Sequence, residues 1–253
     1  MLTEERKAKI LEIVNKKNSV SVPDLIKKFG VSESTIRRDI TSLSREGKIL
    51  KVHGGAVKLE ERTKDDEPSV LQKETINKDE KIRIARYAAS LIQSGDVVFI
   101  DAGTTTHFML DFITEKRATY VTNAVSHAKD LVRKGFKVLL IGGELKENTE
   151  AVVGADAILH IQKYHFTKGF FGTNGVNIKL GFTTPDVREA LNKRVAIENT
   201  QAGQRFVLAD HDKFGLSSAV TFSDFSGVLL VTDKYPGDQY AEIVDVKIVL
   251  GNS

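Results

Sequence analysis

The stretch Asp101-Ala102-Gly103-Thr104-Thr105-Thr106 places a carboxylate, a glycine and three consecutive hydroxyls directly after the apolar run "VVFI". The residues that follow, "HFMLDFI", read as a helix whose first N–H groups face the same spot. Backbone donors, hydroxyls and a helix N-terminus together bind a phosphate. Neither a "GK[ST]" nor a G-x-G-x-x-G accompanies them, so the pattern is not that of a nucleotide loop. A threonine-capped helix without a ligand is the alternative. Lys213, in "DHDKF", supplies a positive charge of the kind a phosphate ester needs.

A second set of reactive side chains lies near the N-terminus. Ile36, Ile40 and Leu43 recur at helical spacing, which turns Ser34, Arg38, Thr41 and Arg45 to the opposite face with Arg37 on its flank. Thr35 stands in the first turn behind Ser32, a capping residue. Arginines and hydroxyls along one helix face bond to phosphates and base edges.

These groups need elements to hold them. Before Ser32, "SVPDLIKKFG" carries Ser21 and Asp24 at capping-box spacing, Pro23 in the first turn and Gly30 as a stop. A short helix, a tight turn and a second helix make a helix-turn-helix. Beyond it "KILKVHGGAVKLE" alternates around "HGG", a hairpin signal, so Lys51 and His53 are expected on a wing that touches DNA backbone.

From Asn77 the pattern changes. Asn77 and Glu80 have capping-box spacing for a helix burying Ile82, Ala85, Ala89 and Ile92 and ending near Gly95. Seven short apolar runs follow: "DVVFID", "TYVTN", "KVLLIGG", "KGFFGTNG", "RFVLAD", "GVLLVTD" and "VDVKIVL". Separated mostly by helical segments, they predict an α/β domain around a largely parallel sheet. Ligands of such sheets bind at the carboxyl ends of the strands. The ends here are polar or glycine: Asp101 to Thr106, Thr122 and Asn123, Gly142 to Glu144, Thr173 to Gly175 and Asp210 to Phe214. Thr184 is expected to cap a further helix with Pro185 at its first position, leaving Thr183 and Thr184 at the mouth of the pocket.

Charge supports two units. Residues 1–60 hold 13 Lys and Arg against 8 Asp and Glu, a net +5, while the remaining residues hold 24 against 26, a net −2. The basic head is the part suited to a polyanion. Expected boundaries are a winged helix-turn-helix over 1–57, a charged connection containing Pro68 over 58–76, and a sensor over 77–253. No apolar run approaches the roughly 18 residues of a membrane span, and zero cysteines suit a reducing cytoplasm. Six histidines without ligand spacing predict no metal, and no cofactor is expected.

At both ends the chain resembles the DeoR family of bacterial repressors. The head carries Arg6, Ile10, Val14, Ser32, Thr35, Ile36, Arg37, Arg38, Asp39 and Ile40, and the body carries "DAGTT", "TN", "GGE", "GTNG" and "DHDKFG". The resemblance implies a sensor similar in fold to ribose-5-phosphate isomerase, binding a phosphorylated sugar through Asp101, Gly103, Thr104, Thr105, Thr106, Asn123, Gly142, Gly143, Thr173, Asn174 and Lys213. It implies operator DNA as partner, and because helix-turn-helix proteins commonly bind two half-sites, a homo-oligomer, dimer or tetramer, is expected. Many members have aspartate where this chain has Asn174, so a carboxylate base is missing there. "GTNG" with "GFTTPD" is most similar to the fructose-operon repressors of Gram-positive bacteria, which implies fructose 1-phosphate as effector. Tagatose 6-phosphate, an isomerase-type enzyme and a purely assembling domain are the alternatives.

Overall fold

The computed structural model describes residues 3–17, 19–45, 48–52, 54–58 and 70–251. The chain divides into two compact units, Met1–Asp66 and Glu67–Ser253.

The first unit comprises α1 (Thr3–Lys17), β1 (Ser19–Ser21), α2 (Val22–Phe29), α3 (Glu33–Arg45), β2 (Ile49–Val52) and β3 (Gly55–Lys58). Its core is apolar and small: Ile10 and Val14 of α1, Leu25 of α2, and Ile36, Ile40 and Leu43 of α3 are all buried. Ser21 Oγ accepts from Asp24 N at 3.2 Å and Gly30 ends α2, while Ser32 Oγ accepts from Thr35 N at 3.3 Å at the head of α3. These caps fix both sides of the turn between α2 and α3. The wing is the expected antiparallel hairpin of β2 and β3, with β1 as an unforeseen third strand. Gly55 is required where the central strand β3 meets β1, since a Cβ there would stand 2.1 Å from Val20 O.

The second unit runs α4 (Val70–Thr75), α5 (Lys78–Ser90), β4 (Val97–Ile100), α6 (Thr104–Met109), β5 (Thr119–Thr122), α7 (Val125–Arg133), β6 (Lys137–Leu140), β7 (Glu144–Leu145), β8 (Val152–Val153), α8 (Ala155–Ile161), β9 (Lys168–Gly172), β10 (Gly175–Asn177), β11 (Gly181–Thr184), α9 (Val187–Glu198), β12 (Arg205–Leu208), a 3-10 turn (His211–Lys213), β13 (Val220–Ser223), β14 (Val228–Thr232), α10 (Asp238–Ala241) and β15 (Asp245–Ile248). The seven apolar runs are the seven strands of one parallel sheet, ordered β15-β14-β12-β9-β4-β5-β6. Successive residues point to opposite faces, and both faces are apolar. Val98, Ile100, Phe170 and Leu208 pack with Ile84 of α5 and Met109 of α6, whereas Phe99, Phe171 and Val207 pack with Ile161 of α8 and Ala190 of α9. A small antiparallel sheet, β10-β11-β13, extends from the end of β9.

Three expectations give way here. Residues 70–75 of the expected connection form α4. Asn77 does precede α5, but at φ 50° its side chain caps nothing, and the buried face of α5 is Lys81, Ile84, Ala85, Ala88 and Ala89. Thr184 lies in β11, and α9 is capped instead by Asp186, whose carboxylate accepts from Arg188 N and Glu189 N. A carboxylate holding two N–H groups is the stronger cap, and Thr184 Oγ donates to Asn174 Oδ1 at 3.1 Å.

Candidate functional site

In the first unit, α3 turns Ser34, Arg37 and Arg38 to solvent, and Arg37, Arg38, Thr41 and Ser42 line an open hollow. Arg37 is held by Glu33 one turn earlier at 2.7 Å. Arg38 makes no ion pair or hydrogen bond among the described residues. Thr41 Oγ donates to Arg37 O at 2.7 Å and accepts from Lys51 Nζ of β2 at 3.1 Å, which fastens the wing to the helix. Ser34 and Thr35 both share hydrogen bonds with Ser32 Oγ. His53 lies outside the described residues. Behind the exposed face, Asp39 is buried and paired with Arg6 of α1, whose Nε stands 2.6 Å from Oδ2 and Nη2 3.3 Å from Oδ1. This clamp sets the angle at which α3 is presented.

In the second unit, the chain starts at β4, steps through β5 to β6, then returns to the other side of β4 at β9 and continues to β12. The sheet therefore reverses direction between β4 and β9, the position where parallel sheets open a ligand crevice. All five polar segments leave the same edge, from the neighbouring strands β6, β5, β4, β9 and β12.

Asp101 stands at the switch. Its carboxylate is paired with Lys193 of α9 and accepts from Gly172 N at 3.2 Å, and Lys193 Nζ also donates to Gly172 O at 3.0 Å. Burial pushes the Asp101 carboxyl up, and Lys193 and the Gly172 N–H offset part of that. The pair thus ties β4, β9 and α9 together under the Ala102–Gly103 turn.

The residues after Asp101 divide into two kinds. Thr106 Oγ is buried and donates back to Asp101 O and Gly103 O, at 2.7 and 2.8 Å, so it builds the loop. Thr104 and Thr105 have no hydroxyl partner among the described residues. Gly103 is extended, a conformation open to any residue, and α6 is only six residues long, so neither a special turn nor a strong dipole marks this loop. His127, behind Thr106, is buried. Burial first and then neighbouring His107, 5.1 Å away ring to ring, lower its pKa to about 3, so it is neutral.

Asn123 is also engaged: Oδ1 accepts from Ala102 N at 3.1 Å and Nδ2 donates to Val152 O at 3.4 Å. Thr173 Oγ donates to Gly175 O and Thr183 O. Gly142 N donates to His160 Nδ1 at 3.0 Å, and Gly143, at φ 150°, would bring a Cβ within 2.7 Å of Val153 O. Thr183 is fully buried, so it does not stand at a mouth. Lys213 lies 3.6 Å from Asp210 at the end of β12.

Sequence reasoning expected the helix α9 but missed its inward polar residues. Glu189, Asn192 and Lys193 are buried, with Glu189 Oε1 accepting from Lys146 and Thr149 at 2.8 Å each. The available signal was Glu189 and Lys193 at i,i+4, a pattern that ordinarily marks a solvated face.

Two family models match the chain, the DeoR-like helix-turn-helix domain over residues 6–62 and the DeoR C terminal sensor domain over residues 76–234. A Bacillus subtilis (strain 168) protein described as the uncharacterized HTH-type transcriptional regulator FruR is 42% identical over 256 residues, covering 98% of this chain and 99% of its own. The lactose phosphotransferase system repressor of Staphylococcus aureus (strain N315) is 34% identical over 247 residues, with 96% and 97% covered. Ribose 5 phosphate isomerase A from Neisseria gonorrhoeae aligns with 54% of this chain and 53% of its own at 15% identity and a TM-score of 0.40, too low to carry chemistry across. With models matching both units and relatives spanning nearly its full length, the chain belongs to the DeoR family of helix-turn-helix transcriptional regulators.

Proposed function

We propose that the protein is a cytoplasmic repressor of a sugar-utilisation operon, relieved by a phosphorylated sugar, with fructose 1-phosphate as the effector and tagatose 6-phosphate as the alternative. In this reading residues 1–57 grip the operator through Arg37, Arg38, Ser34, Thr35, Thr41, Lys51 and His53. Residues 77–253 hold the effector above the sheet switch, and residues 58–76 connect them. The observation that carries the sensor reading is the convergence of five polar strand ends on one sheet edge, with the Asp101–Lys193 pair beneath the switch. Thr104 and Thr105 are the hydroxyls available to a phosphate, and Lys213, half-buried beside Asp210 at the end of β12, is the cation of the neighbouring strand ends.

The relatives are transcriptional regulators, which supports a sensing rather than a catalytic role for this crevice. Asn174 in place of a carboxylate agrees, because isomerisation needs a base beside the substrate carbon. Support for fructose 1-phosphate over other esters comes from the resemblance of "GTNG" and "GFTTPD" to fructose-operon repressors and from the similarity to the relative named FruR. A homo-oligomer accords with the two half-sites that helix-turn-helix proteins commonly read.

The effector relieves repression only if it binds the DNA-incompetent arrangement better, since equal affinity shifts nothing. A thermal-shift titration with fructose 1-phosphate, fructose 6-phosphate, tagatose 6-phosphate, ribose 5-phosphate and inorganic phosphate tests the reading. Selective stabilisation by fructose 1-phosphate is the expected result. No shift with any of them would point to the assembling role or to an effector outside this set.

A further inference from the structure

Asn77 is one of two non-glycine residues with positive φ among those described, at φ 50° and ψ 42°. Asparagine tolerates that region, yet glycine adopts it with less strain. The side chain explains the choice. It does not cap α5; its Nδ2 donates to Asp210 Oδ1 at 3.0 Å and to Asp212 Oδ2 at 2.6 Å, on a loop more than 130 residues away.

Asp210 is 1% exposed and has three claimants. Oδ1 accepts from Asn77 and from Asp212 N, at 3.1 Å. Oδ2 accepts no hydrogen bond among the described residues and has Lys213 Nζ at 3.6 Å. Lys81, one turn into α5 and 3% exposed, lies within the field of both Asp210 and Lys213, and its ammonium donates to Lys73 O of α4. Burial lowers the pKa of Lys81 to about 8, with Asp210 opposing that shift. One buried carboxylate is therefore shared between the α4–α5 corner and the lysine at the end of β12.

The corner is also the first described part of the second unit to follow the DNA-binding unit in the chain. On its other side, Glu74 of α4 lies 3.7 Å from His107 of α6, the helix of the Thr104–Thr106 loop.

We propose that Asn77 and Asp210 form a latch through which capture of Lys213 by an effector phosphate is passed to the α4–α5 corner, and so along the chain to the DNA-binding unit. The inference rests on the sugar-phosphate reading above. A phosphate that draws Lys213 outward leaves Asp210 to Asn77 and Lys81, which tightens the corner against the loop. Conversely, a corner held away from the loop by bound operator returns Asp210 to Lys213 and weakens phosphate binding. Linkage requires these two effects to be equal.

The test uses the full chain, a DNA duplex selected for tight binding to the wild-type protein, and fructose 1-phosphate with tagatose 6-phosphate as second probe. The quantity read is the ratio of DNA dissociation constants with and without saturating sugar ester, which for coupled sites is of the order of 5- to 150-fold. Asn77→Gly keeps the left-handed backbone and removes the amide. It should bind DNA and ester separately within about twofold of wild type, while the ratio falls to near one. Asp210→Asn, which keeps the shape and removes the shared charge, should lose the ratio in the same way and serves if the glycine variant fails to fold. A wild-type ratio in either folded variant overturns the latch alone. If neither ester changes the DNA affinity of the wild type, the effector reading fails and the latch with it.

Discussion

Asp101 and Lys193 are joined across 92 residues, one at the carboxyl end of β4 and the other midway along α9, and both side chains are at most 5% exposed. A buried pair is strongly felt when only one partner is removed, because the other is left charged and unsolvated. Lys193→Met is therefore expected to cost about 3 to 5 kcal/mol in urea unfolding. The double variant Asp101→Asn with Lys193→Met should recover part of that loss. Additive losses would show that the pair is not a unit.

His127 gives a pH signature. Its pKa is about 3 in the folded chain and about 6.5 when unfolded. Between those values the unfolded chain binds more protons, so the stability from neutral His127 is complete above about pH 6.5 and is lost as the pH falls. From pH 6 to pH 5 the wild type should lose about 1 kcal/mol more than His127→Gln. Parallel urea midpoints for the two proteins would remove this account.

The threonines of the 104–106 loop should separate binding from stability. Thr105→Ala, and Thr104→Ala with it, should weaken sugar-phosphate binding in calorimetry and leave the melting temperature nearly unchanged. Thr106→Val, which deletes a buried hydroxyl and leaves Asp101 O and Gly103 O without that donor, should cost about 1 to 3 kcal/mol of stability. A Thr105→Ala protein with full affinity would move the effector elsewhere.

On α3 the two arginines should differ. Arg38, without a partner among the described residues, is the candidate for a base edge, so Arg38→Ala is expected to lose about 1 to 3 kcal/mol of operator binding and to relax specificity. Glu33→Gln releases Arg37 from its ion pair and removes a negative charge facing DNA. It should tighten binding to all sequences and steepen the salt dependence. Gel-shift titrations at two salt concentrations against matched and scrambled duplexes read both effects.

The adjacent glycines of the β6 end make a paired control. Gly143→Ala places a Cβ 2.7 Å from Val153 O at a left-handed φ, and about 1 to 3 kcal/mol is expected to be lost. Gly142→Ala meets only His160 Nδ1 at 3.7 Å, an ordinary contact, and should melt near the wild-type temperature. Equal effects would contradict the geometry of that turn.

What the sequence reveals and conceals follows from how local each signal is. Runs such as "VVFI" and "RFVL" announce central strands because a strand covered on both faces has no polar alternation to blur it. Ser21 and Gly30 announce α2 because capping is a property of neighbouring residues. β1 hides because "SVS" is too short to show a period, and α4 hides in a charged stretch with few apolar residues. Asp186 and Thr184 are both competent caps around Pro185, and the choice falls to a distant partner, Asn174. The site is concealed for the same reason. Asn123 reads as a sugar ligand, and that its amide also ties Ala102 to Val152 is invisible in the sequence; Lys193 looks solvated, whereas it meets Asp101. Contacts between distant segments decide such cases, and no window of residues contains them.

The DeoR signature at Arg37, Arg38 and Asp39 mixes two unlike demands in adjacent positions. Asp39 faces inward to Arg6 and answers to folding, whereas Arg38 faces outward, where under the proposed reading it answers to DNA. A duplicated copy of such a regulator can rewrite positions 34 and 38 and acquire a new address in the genome without reopening the folding problem, so long as Arg6 and Asp39 stay together. Under that reading the operator address is carried by surface residues, and the Arg6–Asp39 clamp that presents them need not change with it.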